Sequence, residues 1–138
     1  MPTLNTTRGN ARALSLVAGI ILWATLLNAI FAYRAGHAQN AAHGKELFEK
    51  RCVGCHALDK EKEGPRLRGV YGRTSGTVPS FTYSDALKNA RITWDDQSLD
   101  KWLTEPEKLV ANNNMAFHVG SVEERLEIIA YLKQLSKP

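Results

Sequence analysis

Toward the C-terminus, apolar residues recur at Ile128, Tyr131, Leu132 and Leu135, the spacing that lines one face of a helix. Ser121 and Glu124 stand ahead of them in the arrangement of a capping box, which places the helix start. That apolar face needs a partner, and a first helix over Ala42 to Arg51, turning Leu47 and Phe48 inward, is the expected one. Asp95 to Thr104 carries Leu99, Trp102 and Leu103 on one side, and Pro106 is expected to stop it. Ser84 can cap a shorter helix reaching about Asn89. Between these segments, the Gly and Pro content of Gly64 to Thr82 demands a loop. The pattern predicts an all-α domain of short helices and loops.

A different pattern opens the chain. Arg8 and Arg12 precede an uncharged run of twenty-one residues, Ala13 to Tyr33, and a small-x-small site, Gly36-His37-Ala38, follows. Basic, apolar and cleavable regions in that order describe a secretory signal peptide over residues 1–38. The alternative is an uncleaved membrane anchor, since about twenty apolar residues span a bilayer. Gly19, Thr25 and Asn28 dilute the run and favour cleavage. Arg8 and Arg12 keep the N-terminus cytoplasmic in either case, which delivers the following domain outside the cytoplasm. That domain, residues 39–138, is one hundred residues long, enough for a modest core.

Charge changes meaning once the leader is set apart. The whole chain is formally +4, but Arg8, Arg12 and Arg34 lie in the leader and every Asp and Glu lies beyond it. Fifteen basic residues then face fourteen acidic ones, a net +1. This is not the basic footprint of a nucleic-acid-binding protein.

The candidate chemistry lies in Cys52-Val53-Gly54-Cys55-His56. Two thiols three apart with a histidine directly after them read as a c-type haem attachment site. The spacing lets both sulfurs reach the two vinyl groups of one porphyrin and brings His56 under the ring to bond iron. A structural zinc would need four ligands. Only His37, His43 and His118 remain, none in a paired spacing, and the chain has no further cysteine. A thioredoxin-like dithiol would sit in a strand-helix-strand pattern, which the charged, Gly- and Pro-punctuated stretch after His56 does not supply. For the second axial position, Met115 is the one methionine beyond Met1. It follows Asn112-Asn113-Asn114, a polar stretch that can present a thioether inward from a loop. A methionine that merely fills a core gap is the competing reading of Met115, and His118 is the competing ligand.

In order along the chain stand Cys-x-x-Cys-His, Gly64-Pro65-Arg66-Leu67-Arg68-Gly69-Val70-Tyr71-Gly72-Arg73, Phe81-Thr82-Tyr83-Ser84-Asp85-Ala86, Ile92-Thr93-Trp94, Met115-Ala116-Phe117 and Ile129-Ala130-Tyr131-Leu132-Lys133. From about His43 onward the chain resembles the class I cytochromes c, most of all the mitochondrial and alphaproteobacterial monohaem carriers. The resemblance implies a small all-α fold wrapped around one haem c, covalent through Cys52 and Cys55, with His56 and Met115 as the iron ligands. It implies that the Pro65 carbonyl accepts a hydrogen bond from the ligand histidine, fixing its tautomer. It also implies that Arg73, Tyr83 and Trp94 donate to the haem propionates. The function implied is one-electron transfer, not catalysis, in the periplasm. The expected partners are a donor and an acceptor protein of a respiratory chain or dehydrogenase, met transiently by a monomer. Membrane contact is expected only if the N-terminal segment is retained.

Three departures from the family pattern bear on that function. Ala111-Asn112-Asn113-Asn114 replaces the usual Pro-Gly-Thr-Lys ahead of the ligand methionine, which puts the rigidity of the loop in question. A loose loop would suit a haem enzyme or gas-binding protein in which Met115 dissociates. Leu87 stands where many relatives have a buried asparagine, and Trp102 where they have a tyrosine whose hydroxyl faces the methionine sulfur. Both alter hydrogen bonding near the haem, a lever on its potential. Glu107 and Asn114 occupy places often held by lysine, while Lys45, Lys50, Arg51 and Lys108 can form a local basic rim. An electron-accepting subunit dedicated to one dehydrogenase differs from a general carrier only in its partner.

Overall fold

The computed structural model describes residues 40–136, together with Trp23 and Leu27. The chain divides into two units, Met1–His37 and Ala38–Pro138; the second is described here, and the leader expected over residues 1–38 lies, but for Trp23 and Leu27, outside the described residues. Among the described residues no helix is long and apolar enough to cross a membrane. They form helices joined by loops, with one isolated bridge, Thr74 to Thr93, and no strand.

Helix α1 covers residues 40–51, two residues more than the apolar pattern marks. α2 is Asp85–Ala90, α3 Asp96–Thr104, α4 Pro106–Leu109 and α5 Val122–Gln134. Ser84 caps α2 by accepting from the Leu87 amide, as expected. Asp95 and Ser98 close a reciprocal capping box at the start of α3. At α5 the box is half closed. Ser121 accepts from the Glu124 amide, but the Glu124 carboxylate turns to Arg51 at 2.7 Å. A charge-assisted bond to a half-buried guanidinium outcompetes a single backbone amide. Pro106 fills its expected role and a second one. It does not only end α3; it is the first residue of α4, where a missing amide costs nothing and a fixed φ suits the helix.

The first and last helices meet as their apolar faces require. Leu47 and Phe48 are buried, and the Phe48 and Tyr131 rings lie 5.5 Å apart. Gly44 makes the approach feasible, since a Cβ there would stand 1.9 Å from the Glu127 carbonyl oxygen. Leu99, Trp102 and Leu103 of α3 join Ile128, Ile129 and Leu132 of α5 in one core, which Trp94, Val110 and Val119 complete from the connecting segments. Arg125 is buried on that same face at 6% exposure. Its guanidinium binds Asp100 at 2.7 Å and the carbonyls of Val119 and Gly120 at 3.0 and 3.1 Å. It thus ties α5 to α3 and to the segment after Met115.

Candidate functional site

The Cys-x-x-Cys-His segment leaves α1 in a tight turn. The Cys52 carbonyl accepts from the amides of both Cys55 and His56, at 3.1 and 2.9 Å. Lys62 donates to the carbonyls of Val53 and Gly54 across the same turn. The chain then doubles back, with Gly64 donating to the Cys55 carbonyl at 2.8 Å and Leu67 to that of Ala57 at 3.0 Å. This brings Gly64-Pro65 against the His56 ring. A Cβ on Gly64 would fall 2.2 Å from His56 Cε1, so only glycine fits. His56 Nδ1 donates to the Pro65 carbonyl at 2.8 Å. That bond fixes the proton on Nδ1 and leaves the Nε2 lone pair available. Burial, opposed by the Pro65 bond, holds the His56 pKa below its usual value and favours the neutral, ligating form. Burial also pushes the Cys52 thiol up to about 11. Cys52 and Cys55 are not joined to each other.

A second group of residues is set by the segment facing the long loop. Gly72 donates to the Trp94 carbonyl at 2.7 Å and Trp94 to that of Arg73 at 3.0 Å, while Ser75 donates to that of Ile92 at 2.7 Å. These bonds hold Arg73 and Trp94 side by side. Arg73 donates to the carbonyls of Arg66 and Arg68 at 3.0 and 3.3 Å. Burial lowers its pKa, and among the described residues no carboxylate pairs with it. Tyr83 and Trp94 are buried beside it, and burial raises the pKa of the phenol.

Met115 is held from two directions. The indole N–H of Trp102 donates to its sulfur at 3.1 Å. Its amide donates to Asn113 Oδ1 at 2.7 Å. Asn113 Nδ2 in turn donates to Glu107 Oε2 at 3.1 Å and to the Val110 carbonyl at 2.9 Å. The other Glu107 oxygen accepts from the Asn112 amide at 2.9 Å. In this asparagine-rich loop, whose rigidity the sequence leaves in question, the side chains of Glu107 and Asn113 hold the backbone.

All eight residues singled out from the sequence, Cys52, Cys55, His56, Pro65, Arg73, Tyr83, Trp94 and Met115, line one cavity of about 440 Å³. Leu67, Val70, Leu87, Leu99, Trp102 and Leu132 supply its apolar walls. His118 is exposed and outside it. The donor set fits a haem c: two thiols, a neutral imidazole with a free nitrogen, a thioether, apolar walls for a porphyrin, and a half-buried cation without an anion. Residues 41–136 match the family model for cytochrome c.

The chain belongs to the cytochrome c family.

Within it, the chain is 52% identical over 99 residues to cytochrome c of Euglena viridis, which covers 70% of this chain and 97% of that protein. It is 39% identical over 103 residues to cytochrome c2 of Blastochloris viridis, covering 72% of this chain and 80% of that one. The solved structure of cytochrome cH from Methylobacterium extorquens superposes with a TM-score of 0.65 at 38% identity, covering 68% of this chain and 97% of that one. The fold is the small class I type, and the cofactor is a covalent haem c on Cys52 and Cys55. The work is that of a haem electron carrier met by redox partners.

Three contributors escaped the sequence pattern. Arg125 lies on the stripe with Ile128, Ile129 and Leu132, and a charge at a core-facing position is a signal that it is paired inside. Asn113 stands two residues before Met115, the spacing at which an asparagine side chain binds a backbone amide. Glu107 left no local signal. Of the four residues that can form a basic rim, Lys45 pairs with Glu49, Arg51 with Glu124 and Lys108 with Glu105.

Proposed function

We propose that the protein is a periplasmic one-electron carrier whose iron is held by His56 and Met115 and which serves a donor and an acceptor protein in transient encounters. The observation that supports it most is the convergence of His56, with Nε2 free, and Met115, with its sulfur gripped by Trp102, on the cavity that Cys52 and Cys55 border. When bound, the haem supplies one iron that accepts a single electron and gives it up. Cys52 and Cys55 would anchor the group by thioethers, and Pro65 would keep the His56 ring in one orientation. Arg73, Tyr83 and Trp94 would take the propionates, the guanidinium supplying the charge they need. Leu99, Trp102 and Leu132 would keep water from the ring. Ligands kept in both oxidation states leave little to reorganise on transfer, and His/Met ligation favours a raised potential.

Carbon monoxide tests the ligation. The ferric protein is expected to show the near-infrared thioether-to-iron band, absent in Met115→Ala, and the ferrous protein to take up carbon monoxide slowly. Rapid stoichiometric uptake would instead favour the gas-binding or enzymatic reading. Periplasmic placement rests on the leader pattern. Intact mass of the haem protein from soluble and membrane fractions tests it: a soluble species starting near Gln39 means a cleaved, diffusing carrier, and a membrane species retaining Met1 means a tethered one.

A further inference from the structure

We propose that Glu107 and Asn113 form a clamp that sets how often Met115 leaves the iron, which makes Glu107 a positioning residue for the sixth ligand; the proposal rests on the ligation by Met115 argued above.

The segment from Ala111 to Gly120 has no helix or strand of its own, and its nearest support is α4, a single turn. What fixes Met115 is therefore a chain of side-chain bonds. Asn113 can take one orientation only, because its amide nitrogen faces two acceptors, Glu107 Oε2 and the Val110 carbonyl, while its oxygen faces a donor, the Met115 amide. A flipped amide would lose all three bonds. Asn112 adopts a left-handed backbone with φ of 63°, unfavourable for a residue with a Cβ and best tolerated by asparagine. Its amide is tied to Glu107 Oε1. One carboxylate thus holds both the strained residue and the residue that pins the methionine backbone.

Bonds of this kind, to an ionised acceptor, are among the stronger ones a surface loop can make. Without them Asn112 can relax to an extended conformation and carry the next residues with it. Trp102 grips a different atom, the sulfur, from a different helix, so the indole bond remains when the clamp is opened. The two grips have different consequences. The indole acts on the electronic character of the sulfur, whereas the clamp acts on the population of the state in which the sulfur is away.

Carbon monoxide binds the ferrous protein only in that open state, so its association rate reports the open fraction. The experiment is stopped-flow mixing of carbon monoxide with ferrous haem-loaded wild type and with Glu107→Gln, Glu107→Ala, Asn113→Ala and Glu105→Gln. Glu107 is exposed, so its variants fold around the same core, and thermal unfolding of each is recorded alongside. Glu107→Ala and Asn113→Ala are expected to bind carbon monoxide about ten- to a hundredfold faster, the range for losing hydrogen bonds to a charged group. Glu107→Gln keeps one acceptor and should fall between them and wild type. Glu105→Gln removes a nearby exposed carboxylate outside the clamp and should leave the rate unchanged. An unchanged rate in Glu107→Ala, or an equal rise in Glu105→Gln, would overturn the clamp. Wild type lacking the thioether-to-iron band would remove the ligation itself, whatever the variants do.

Discussion

His56 reaches the cavity from a turn built of backbone bonds between residues no more than ten apart, whereas Met115 reaches it from a loop that side chains of three helices hold in place. On the histidine side the Cys52, Cys55 and Pro65 carbonyls do the positioning, and Gly64 is needed only because it has no side chain. On the methionine side the positioning falls to Trp102 of α3, Glu107 of α4 and Arg125 of α5. A backbone-built half depends on a compact motif and leaves few residues free to vary. A side-chain-built half can be loosened or retuned one residue at a time. Fixed attachment and adjustable ligation are thereby assigned to different parts of the chain.

The sharpest way to break this comparison is to remove the attachment. Cys52→Ala combined with Cys55→Ala is expected to abolish covalent haem altogether, read as loss of haem staining on a denaturing gel and loss of the haem increment in intact mass. The methionine-side bonds should not rescue it, because none of them is covalent. Arg125→Ala strikes the other half. It leaves Asp100 without its partner and frees the carbonyls of Val119 and Gly120. Breaking a buried pair costs roughly 3–5 kcal/mol, and the partly hydrated Asp100 puts this one near the low end, about 3 kcal/mol. Denaturant unfolding of the haem-loaded protein measures that. The mass should still show one haem, while the thioether-to-iron band should weaken.

The same division decides how much could be read from the sequence. In the histidine half Cys-x-x-Cys-His was legible because its parts are adjacent in one turn, whereas the part played by Pro65 was implied only by the resemblance to the family. The helices were legible for a similar reason, since Leu47, Phe48, Leu99, Trp102, Leu103, Ile128 and Leu132 mark their buried faces by spacing alone. What was not legible depends on which side chains and turns meet across elements. Glu124 fits a capping box by position but is drawn to Arg51. Pro106 ends α3 as its missing amide foretells, while the geometry that lets it also start a new turn is not visible in sequence. Three asparagines left the rigidity of the loop in question because Glu107, six residues before Asn113, carries no mark of being their partner.

Gly64→Ala sharpens the histidine side. The new methyl would sit 2.2 Å from the imidazole, closer than packing permits. Either the ring or the Gly64-Pro65 backbone must shift, and both carry the His56 to Pro65 bond. Overpacking of this kind costs about 1–3 kcal/mol, and about 2 kcal/mol is expected in denaturant unfolding. Covalent attachment should survive, because the turn that presents Cys52 and Cys55 closes on the Cys52 carbonyl, and the backbone amide that position 64 donates to the Cys55 carbonyl is kept in the variant. Loss of covalent haem in this variant would mean that the two halves are less separable than the bonding pattern implies.

The smallest expected effect isolates the sulfur. Trp102→Phe keeps an aromatic ring in the core, where Trp102 packs 5.3 Å from Trp94, but removes the N–H that donates to Met115. A donor on the sulfur withdraws electron density from it and weakens its donation to iron, which disfavours the ferric state more than the ferrous. Removing the donor should therefore lower the reduction potential. A net hydrogen bond contributes about 0.5–1.5 kcal/mol, which at about 59 mV per tenfold for one electron corresponds to about 20–60 mV. Redox titration reads the shift directly. The rate of carbon monoxide binding should move little by comparison, because the Met115 amide remains pinned by Asn113 and Glu107. A variant whose potential held steady while the sulfur became labile would place Trp102 with the clamp, and the methionine half would then have one mode of control instead of two.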